Sequence, residues 1–205
     1  MVAIGSHGRL TEFPSTDRGV VLIGPMRCGK STQARLLAER LGLPRASIDA
    51  TAWDYYLADG IDRAYAQRLA TTDGELACYR YFEGFLVSAL ERHLREHAGE
   101  VIDLGAGHTV SSRPEDPPRV RDLLAPFRNI VLLLPSADLD VSTAVLRERT
   151  AQIAWLQEVR KQSGLDLNDW FLRRPDNAAL ATHTVYTHDR TPQETCEDIV
   201  RCVQG

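Results

Sequence analysis

The chain has 205 residues, which is enough for one domain of moderate size and argues against two independent cores. Its composition, 43% hydrophobic and 25% charged, is ordinary for a folded protein and excludes wholesale disorder. Lysine and arginine number 24 against 28 acidic residues, so the formal net charge is −4. This balance lacks the basic excess of a nucleic-acid binder, and we expect a monomer or homodimer whose partner is a small molecule.

The longest apolar runs, residues 20–23 and 130–134, are far shorter than the ~20 residues that cross a bilayer, so no membrane contact is expected. Residues 1–17 contain no apolar signal-peptide core and are predicted to form a flexible leader. The four cysteines form no C-x-x-C pair. Their scatter favours free thiols in a cytoplasmic protein and gives no structural zinc site.

Short apolar runs alternate with amphipathic stretches, which predicts an α/β fold with a parallel sheet. In chain order we expect a strand at 20–24, a helix at 31–41 ended by Gly42, a strand at 46–49, a long helix at 74–97, and strands at 101–104, 130–134 and 184–187. A last helix begins with Thr191 as N-cap, Pro192 in its first turn and Glu194 closing a capping box.

Two stretches fit this alternation poorly. Residues 111–118 hold three prolines and are predicted to form a loop, and residues 150–174 are predicted to form a helical lid inserted between two strands. The segment His93-Leu94-Arg95-Glu96-His97 matches an inverted zinc-protease pattern, but we interpret it as a solvated helix end.

The decisive motif is residues 24–31, Gly-Pro-Met-Arg-Cys-Gly-Lys-Ser, which is the complete P-loop pattern G-x-x-x-x-G-K-[ST]. Glycines let successive backbone N–H groups turn toward a phosphate, and the helix that follows adds its N-terminal dipole. Lys30 is predicted to reach the phosphates as a catalytic residue, and Ser31 to hold Mg²⁺. The nucleotide-binding residues expected here are Gly24, Met26, Arg27, Cys28, Gly29, Lys30, Ser31 and Thr32.

A P-loop binds a nucleoside triphosphate but does not specify the reaction. The segment after the fourth strand, Leu134-Pro135-Ser136-Ala137-Asp138, lacks the N-K-x-D type of segment that reads guanine. Small size and an inserted lid favour a kinase that acts on a small acceptor.

The remaining motifs resemble those of shikimate kinase, in matching order from residue 18 to residue 204. The family has Asp-Thr-Asp after its second strand, then Gly-Glu with Phe-Arg and Glu, then a triple glycine, an adenine-stacking arginine and a C-terminal proline. The matching segments here are Asp49-Ala50-Thr51, Gly74-Glu75 with Tyr79-Arg80 and Glu83 after one extra residue, Gly105-Ala106-Gly107, Arg149-Thr150, Arg173-Arg174-Pro175 and Pro192.

The resemblance implies a P-loop kinase: a three-layer sandwich with a five-stranded parallel sheet, spanning residues 18–205, with an acceptor-binding segment at about 50–98. It implies ATP and Mg²⁺ as cofactors and an alcohol as acceptor. The implied nucleotide-binding residues include Arg149 and Pro192. The implied acceptor-binding residues are Asp49, Thr51, Arg80, Gly105, Ala106, Gly107, Arg173 and Arg174.

The P-loop is complete, so we expect the phosphate machinery to be intact. Thr51 and Ala106 depart from the family pattern, so we expect an acceptor other than shikimate, one that is acidic or polyhydroxylated. Asp49 is expected to close the second strand, as a catalytic base or a Mg²⁺ ligand, with a helix N-cap as the alternative. Asp103 resembles a Walker-B carboxylate for Mg²⁺, with a backbone hydrogen bond as the alternative. Lys30, Arg80, Arg149 and Arg173 are expected to converge on one cleft.

Two other functions stay open at this point. A nucleoside or nucleotide kinase has a similar length, and Arg173-Arg174 is a weak trace of the arginine-rich lid that such enzymes carry. A non-catalytic ATP-binding regulatory module could also keep the P-loop and the fold.

Overall fold

The computed structural model describes residues 18–205, so the leader predicted for residues 1–17 lies outside the described residues. In residues 18–205 the strands are β1 (Val20–Ile23), β2 (Arg45–Ser47), β3 (Val101–Asp103), β4 (Ile130–Leu134) and β5 (His183–Tyr186). The α-helices are α1 (Lys30–Leu41), α2 (Ile48–Ala58), α3 (Arg63–Thr72), α4 (Glu75–Glu96), α5 (Asp116–Leu124), α6 (Leu139–Thr150), α7 (Ala154–Ser163), α8 (Leu167–Arg173), α9 (Asp176–Leu180) and α10 (Pro192–Gln204).

All five strands are parallel, in the order β2-β3-β1-β4-β5. β1 lies at the centre, with Val20 opposite Val101 of β3 and Val21 opposite Ile130 of β4. Strands β3 and β2 therefore lie on one side of β1, and β4 and β5 lie on the other. The binding crevice of an open α/β sheet forms where the strand order reverses in this way. The predicted five-stranded α/β architecture is confirmed.

Alternating strand residues pack against helices on the two faces of the sheet. One core contains Val21, Ile23, Ile102 and residues of α2, α4 and α5, and the other contains Val20, Leu22, Val101 and residues of α1, α6 and α10. Each fully buried Leu, Ile or Val contributes ~1.5–3 kcal/mol relative to exposure. A third, smaller core lies beneath α7 and α8, around Phe171.

Several helix ends follow the chemistry of the sequence. Gly42 ends α1 in the left-handed conformation with φ 65°, and its N–H donates to Ala38. Thr191 and Glu194 form the predicted capping box of α10. The inserted segment at 150–174 is helical as expected, but it forms two helices, α7 and α8, joined at Gly164.

Three expectations were wrong. The prolines of 111–118 do not all lie in a loop, because α5 begins at Asp116 and accommodates Pro117 and Pro118 in its first turn, where no intrahelical N–H is needed. The second strand ends at Ser47 instead of Asp49. His93 is not solvated but fully buried against α2, 3.2 Å from the hydroxyl of Thr51.

Within residues 18–205 no group of three or more histidine, cysteine or carboxylate side chains is arranged to hold a metal ion. None of the helices in that range combines the length and the apolar character that crossing a bilayer requires.

Candidate active site

The loop between β1 and α1 adopts the strained backbone that its glycines allow. Gly24 has φ 136° and Gly29 φ 112°, both in the region that side chains disfavour. A Cβ on Gly24 would also lie 2.5 Å from the carbonyl oxygen of Leu133, so no larger residue fits there. The loop delivers the chain into α1, whose first residue is Lys30. This strand–loop–helix arrangement is the one that cradles phosphate.

A cavity of about 700 Å³ opens over this loop, and we call it the phosphate-loop cavity. Its lining includes seven of the predicted nucleotide-binding residues: Met26, Arg27, Gly29, Lys30, Ser31, Thr32 and Arg149. The guanidinium of Arg149 reaches over the rim, where its Nη1 donates to the Arg27 carbonyl at 3.4 Å. The predicted set is thus brought together around one cavity.

Three predicted nucleotide-binding residues do not line this cavity. Gly24 and Cys28 are buried beneath the loop, and the Cys28 thiol packs in the core under α1. Pro192 lies at the start of α10, where its carbonyl accepts a hydrogen bond from Gln33 at 3.0 Å. This hydrogen bond joins α10 to α1, and the nucleotide contact expected of Pro192 stays a prediction.

Lys30 is 8% exposed, and its ammonium is held by the loop itself. Nζ donates to the carbonyls of Gly24 at 2.9 Å and Pro25 at 2.7 Å. The charge therefore lies at the base of the cavity, where it is positioned to meet an anion that the loop's N–H groups hold.

Sequence reasoning missed Asn168 of α8, which clamps the phosphate loop from the lid side. Its Oδ1 accepts from the Met26 N–H at 2.8 Å, and its Nδ2 donates to the Met26 carbonyl at 3.1 Å. The Asn168 side chain is 3% exposed, and both bonds are partly buried. No local motif marks this residue, because its partner lies 142 positions away.

Asp49 stands in the first turn of α2 instead of at the end of a strand. Its side chain is open to solvent at the cavity mouth, yet surrounding protein removes enough hydration to raise the carboxyl pKa. The Lys30 ammonium partly lowers that pKa, and the Asp103 carboxylate raises it further. Asp49 lines both the phosphate-loop cavity and the neighbouring one, so it lies where two bound molecules would meet.

Asp103 lies at the end of β3, 3% exposed and outside the lining of either cavity. Its carboxylate accepts hydrogen bonds from Ser47 Oγ at 3.2 Å and Arg45 Nε at 3.4 Å. The buried charge is thus satisfied by two β2 side chains, and the Mg²⁺ role of Asp103 stays a prediction.

The second cavity, of about 480 Å³, lies between α2, α4 and the lid, and we call it the aromatic cavity. Its lining is Met26, Asp49, Trp53, Glu75, Cys78, Tyr79, Phe82, Leu86, Gly105, Ala106, Gly107, His108, Trp155 and Phe171. The predicted acceptor residues Asp49, Gly105, Ala106 and Gly107 are among them. Met26, Asp49, Gly105 and Ala106 belong to both cavities, so the two are adjoining spaces.

The glycines after β3 are required by close packing. A Cβ on Gly105 would lie 2.6 Å from Oδ1 of Asp49 and 2.8 Å from Nδ1 of His108. A Cβ on Gly107 would lie 3.0 Å from the hydroxyl oxygen of Tyr79. Replacing either glycine by a larger residue would push these polar side chains away from the cavity wall.

Two buried polar atoms of this wall have no hydrogen-bond partner, Nδ1 of His108 and the Tyr79 hydroxyl. His108 is 4% exposed; burial lowers its pKa to about 4, with the Gly105 carbonyl opposing the shift, so the ring is neutral at pH 7. Burial likewise raises the pKa of Tyr79. Unsatisfied buried polar groups are rare in folded proteins, and a bound molecule is one way to satisfy them.

Thr51 and Arg80 do not reach either cavity. The Thr51 hydroxyl turns inward to His93 at 3.2 Å, because it lies on the face of α2 that packs against α4. Arg80 is exposed on the outer side of α4, about 160° around the helix from Phe82, which faces the aromatic cavity. The expected acceptor contacts of these two residues therefore stay predictions that the cavity linings do not support.

Arg173 and Arg174 are also directed elsewhere. Arg173 pairs with Asp169 at 3.0 Å and Asp140 at 2.5 Å, which docks α8 against α6. Arg174 pairs with Asp176 at 2.9 Å. Of the four cations expected to converge on one cleft, only Lys30 and Arg149 line the phosphate-loop cavity. Because Arg173 and Arg174 are engaged in ion pairs, they give no support to the arginine-rich lid of a nucleotide kinase.

The lid helix α7 contacts the start of α4 directly. The Gln162 side chain of α7 accepts a hydrogen bond from the backbone N–H of Glu75, the first residue of α4, at 3.0 Å. The N-cap position of α4 is Gly74, which supplies no side chain for this N–H. A lid residue therefore caps the helix that forms one wall of the aromatic cavity.

No protein-family model matches the chain. A shikimate kinase of Streptomyces coelicolor is 34% identical over 187 residues, which are 90% of this chain and 95% of that protein. A shikimate kinase of Dehalococcoides mccartyi is 28% identical over 184 residues, 90% of this chain and 92% of that protein.

Solved structures of similar fold include shikimate kinase from Acinetobacter baumannii in complex with shikimate. It has a TM-score of 0.63 and 20% identity, covering 91% of this chain and 93% of that one. A gluconokinase from Sinorhizobium meliloti has a TM-score of 0.51 and 15% identity, covering 93% and 94%. These likenesses establish the P-loop kinase fold.

Proposed function

Since the chain belongs to the shikimate kinase family, we propose that it transfers the γ-phosphoryl group of ATP, with Mg²⁺, to a hydroxyl of a small molecule in the aromatic cavity. The family assignment makes the chain a kinase with an alcohol acceptor. The observation that carries the finer proposal is Asp49, which is common to the phosphate-loop cavity and the aromatic cavity. We expect the reaction in the cytoplasm, where free thiols such as these four cysteines persist.

The residues present fit a nucleotide with its metal ion. The loop's glycine conformations, the Lys30 ammonium and the N-terminus of the 12-residue helix α1 all favour bound phosphate. The Ser31 hydroxyl lines the same cavity and is an oxygen ligand of the kind that Mg²⁺ takes. Bound Mg²⁺ would neutralise charge on the phosphates.

The chain's own groups divide the work of phosphoryl transfer. Lys30 holds the phosphates in place, and Asn168 fixes the loop that orients them. Asp49 accepts a hydrogen bond from the acceptor hydroxyl and takes its proton as the bond to phosphorus forms. Its raised pKa makes it a stronger base than an ordinary surface carboxylate.

The acceptor is proposed to differ from shikimate. The Acinetobacter baumannii enzyme was solved with shikimate, an acid. Here Arg80, Arg173 and Arg174 all lie outside the lining of the aromatic cavity, so the arginines expected to bind an acid are not available to it. The cavity therefore lacks the cations that the predicted acidic acceptor would need.

Two substitutions test the assignment of roles. Lys30→Met is expected to lower affinity for a non-hydrolysable ATP analogue at least about tenfold in calorimetry, because a charge-assisted phosphate contact is lost. Asp49→Asn is expected to retain nucleotide binding and to lower turnover about 100-fold or more, the usual contribution of general base catalysis. Turnover is followed as ADP release with a panel of alcohols.

The matched control is Lys161→Met, at a lid lysine that is 79% exposed, and it should change neither quantity. Unchanged turnover in Asp49→Asn would show the assigned base to be wrong. Nucleotide binding without turnover on any alcohol would instead support a regulatory ATP-binding module.

A further inference from the structure

The walls of the aromatic cavity are made largely of rings. Trp53, Tyr79, Phe82, Trp155 and Phe171 line it from α2, α4, α7 and α8. The Tyr79 and Trp155 rings are nearly parallel, at 15°, with centroids 6.4 Å apart. Ring faces of this kind favour flat apolar groups and also cations, because the faces carry negative electrostatic potential.

The charged residues in the lining of this cavity, as the described chain forms it, are Asp49 and Glu75, and both are carboxylates. Within residues 18–205 no basic side chain forms an ion pair with Glu75. Lys30 belongs to the phosphate-loop cavity. Arg63 touches the wall from outside, with its guanidinium 4.4 Å from the Trp53 ring centroid.

An acid in this cavity would add a third negative charge beside two carboxylates, and next to the phosphates of a bound nucleotide. Like charges at short distance in a partly desolvated site repel strongly. A positively charged amine has the opposite balance, since Glu75 and the ring faces both attract it. The electrostatics of the wall thus select against carboxylates and in favour of amines.

Two polar atoms, one of them the unpartnered Nδ1 of His108, point to an alcohol at the inner end. Nδ1 of His108 and Oδ1 of Asp49 both approach Gly105, at the border between the two cavities. Nε2 of His108 is 3.1 Å from the Tyr56 hydroxyl, so Nδ1 donates or accepts according to the tautomer. A hydroxyl group can do either and satisfies both cases, whereas a carboxylate can only accept.

We propose that the acceptor is an amino alcohol with a flat apolar body, whose hydroxyl lies at Asp49 and His108 and whose ammonium lies at Glu75. This inference rests on the proposed kinase function and names the chemical class of its acceptor. Transfer balances as in the proposed reaction: the hydroxyl oxygen forms the bond to phosphorus, ADP leaves, and Asp49 takes the proton.

The test uses three probes that share one phenyl-carbinol body and differ in charge: 2-amino-1-phenylethanol, 1-phenyl-1,2-ethanediol and mandelate. Binding to the full chain is measured by calorimetry in the presence of Mg²⁺ and a non-hydrolysable ATP analogue, with shikimate and uridine as further arms. We expect the amine to bind about tenfold more tightly than mandelate or shikimate, with the neutral diol between them.

Glu75→Gln should reduce the preference for the amine over the diol to about twofold or less, since the attracting charge is gone. Glu197→Gln, at an exposed position of α10, is the matched control and should leave the preference unchanged. Arg63→Gln identifies the cation responsible if mandelate binds.

Binding of mandelate or shikimate as tight as that of the amine overturns the inference, as does tighter binding of uridine. The inference is also overturned if neither 2-amino-1-phenylethanol nor 1-phenyl-1,2-ethanediol binds saturably at millimolar concentration. In each of these cases a chain that still binds the ATP analogue leaves the kinase proposal standing. Failure to bind the analogue counts against the kinase proposal itself.

Discussion

Asn168 joins the lid to the phosphate loop through the backbone of a single residue, Met26. The amide makes one bond as acceptor and one as donor, so an isosteric acid could keep only the first. Because both bonds hold the Met26 backbone, the loop's conformation depends on the presence of α8. The phosphate site is therefore completed by a residue from the lid.

Asn168→Ala is expected to lower the free energy of unfolding by about 1–3 kcal/mol, because two partly buried hydrogen bonds to the Met26 backbone are lost. It should also weaken nucleotide binding several-fold, since the loop is no longer held in its binding conformation. Urea unfolding and calorimetry measure the two effects.

Asn177→Ala is the matched control for that change. Asn177 is equally buried and accepts a hydrogen bond from Thr109 at 2.7 Å, away from both cavities. It should lose stability and keep nucleotide affinity. Equal nucleotide affinities in the two variants would contradict a positioning role for Asn168.

At this scale the sequence predicts residues that a local motif fixes, and it misses those that only the fold brings in. Lys30, Ser31 and Thr32 follow from their spacing to Gly24 and Gly29. Asn168 has no such spacing, and Glu75, Trp155 and Phe171 line the aromatic cavity only because the lid folds over α4.

Among the helices, α4 and α7 are tied together at the mouth of the aromatic cavity. Gln162 of α7 accepts from the first N–H of α4, and it also donates to Glu158 of its own helix at 2.9 Å. The contact is exposed, so its contribution to global stability is small. Its effect is expected to be local, on how closely the lid stays over the cavity.

Gln162→Ala is expected to raise amide hydrogen exchange about tenfold at the first turn of α4 and along α7, with little change in the unfolding free energy. Hydrogen–deuterium exchange with mass spectrometry measures this, and Gln193→Ala at an exposed position of α10 is the control. If exchange in α7 is the same in both variants, the lid is held by its apolar contacts alone.

The sequence predicts where a helix lies better than it predicts which of its sides faces the cavity. The predicted helix at 74–97 agrees with α4 almost to the residue, because its apolar pattern is long and regular. The family motif at Tyr79-Arg80 was present as well, yet Arg80 faces outward and Tyr79 faces the cavity. Which side of a helix meets a cavity depends on the neighbouring elements, and one extra residue in the motif is enough to turn it.

Across the whole molecule, two buried histidines link stability to pH. Burial, together with the nearby His97, lowers the pKa of His93 to about 4, while Glu96 and Asp103 oppose the shift. His108 is shifted to about 4 as well, mainly by burial. In the unfolded chain both titrate near 6.5, so between pH 6.5 and 4 the unfolded state binds more protons and is favoured.

The unfolding free energy is therefore expected to fall as pH is lowered from 7 to 5, by about 2 kcal/mol for each histidine. Asp49 opposes this, since its raised pKa makes the folded state bind a proton more readily. His93→Gln should make the pH dependence shallower in urea unfolding, whereas His188→Gln, at an exposed position, should not. If His93→Gln leaves the pH dependence of the unfolding free energy unchanged, then His93 does not contribute to that dependence.

The sheet and its two cores follow from the apolar runs of the sequence, and so does the edge at which the site lies. The chemistry of the aromatic cavity does not, because its rings come from four helices far apart in the chain. The family resemblance at Arg80, Arg173 and Arg174 predicted an acidic ligand, whereas Arg173 and Arg174 are engaged in ion pairs within the protein.

The placement of the indoles gives the protein a built-in optical signal. Of the three tryptophans, Trp53 and Trp155 line the aromatic cavity, while Trp170 lies outside its lining, half-buried against the third core with Arg174 against its face. An occupant of the cavity changes the polarity around two emitters and leaves the third as an internal reference. Ligand discovery for this chain can therefore proceed by fluorescence without any label.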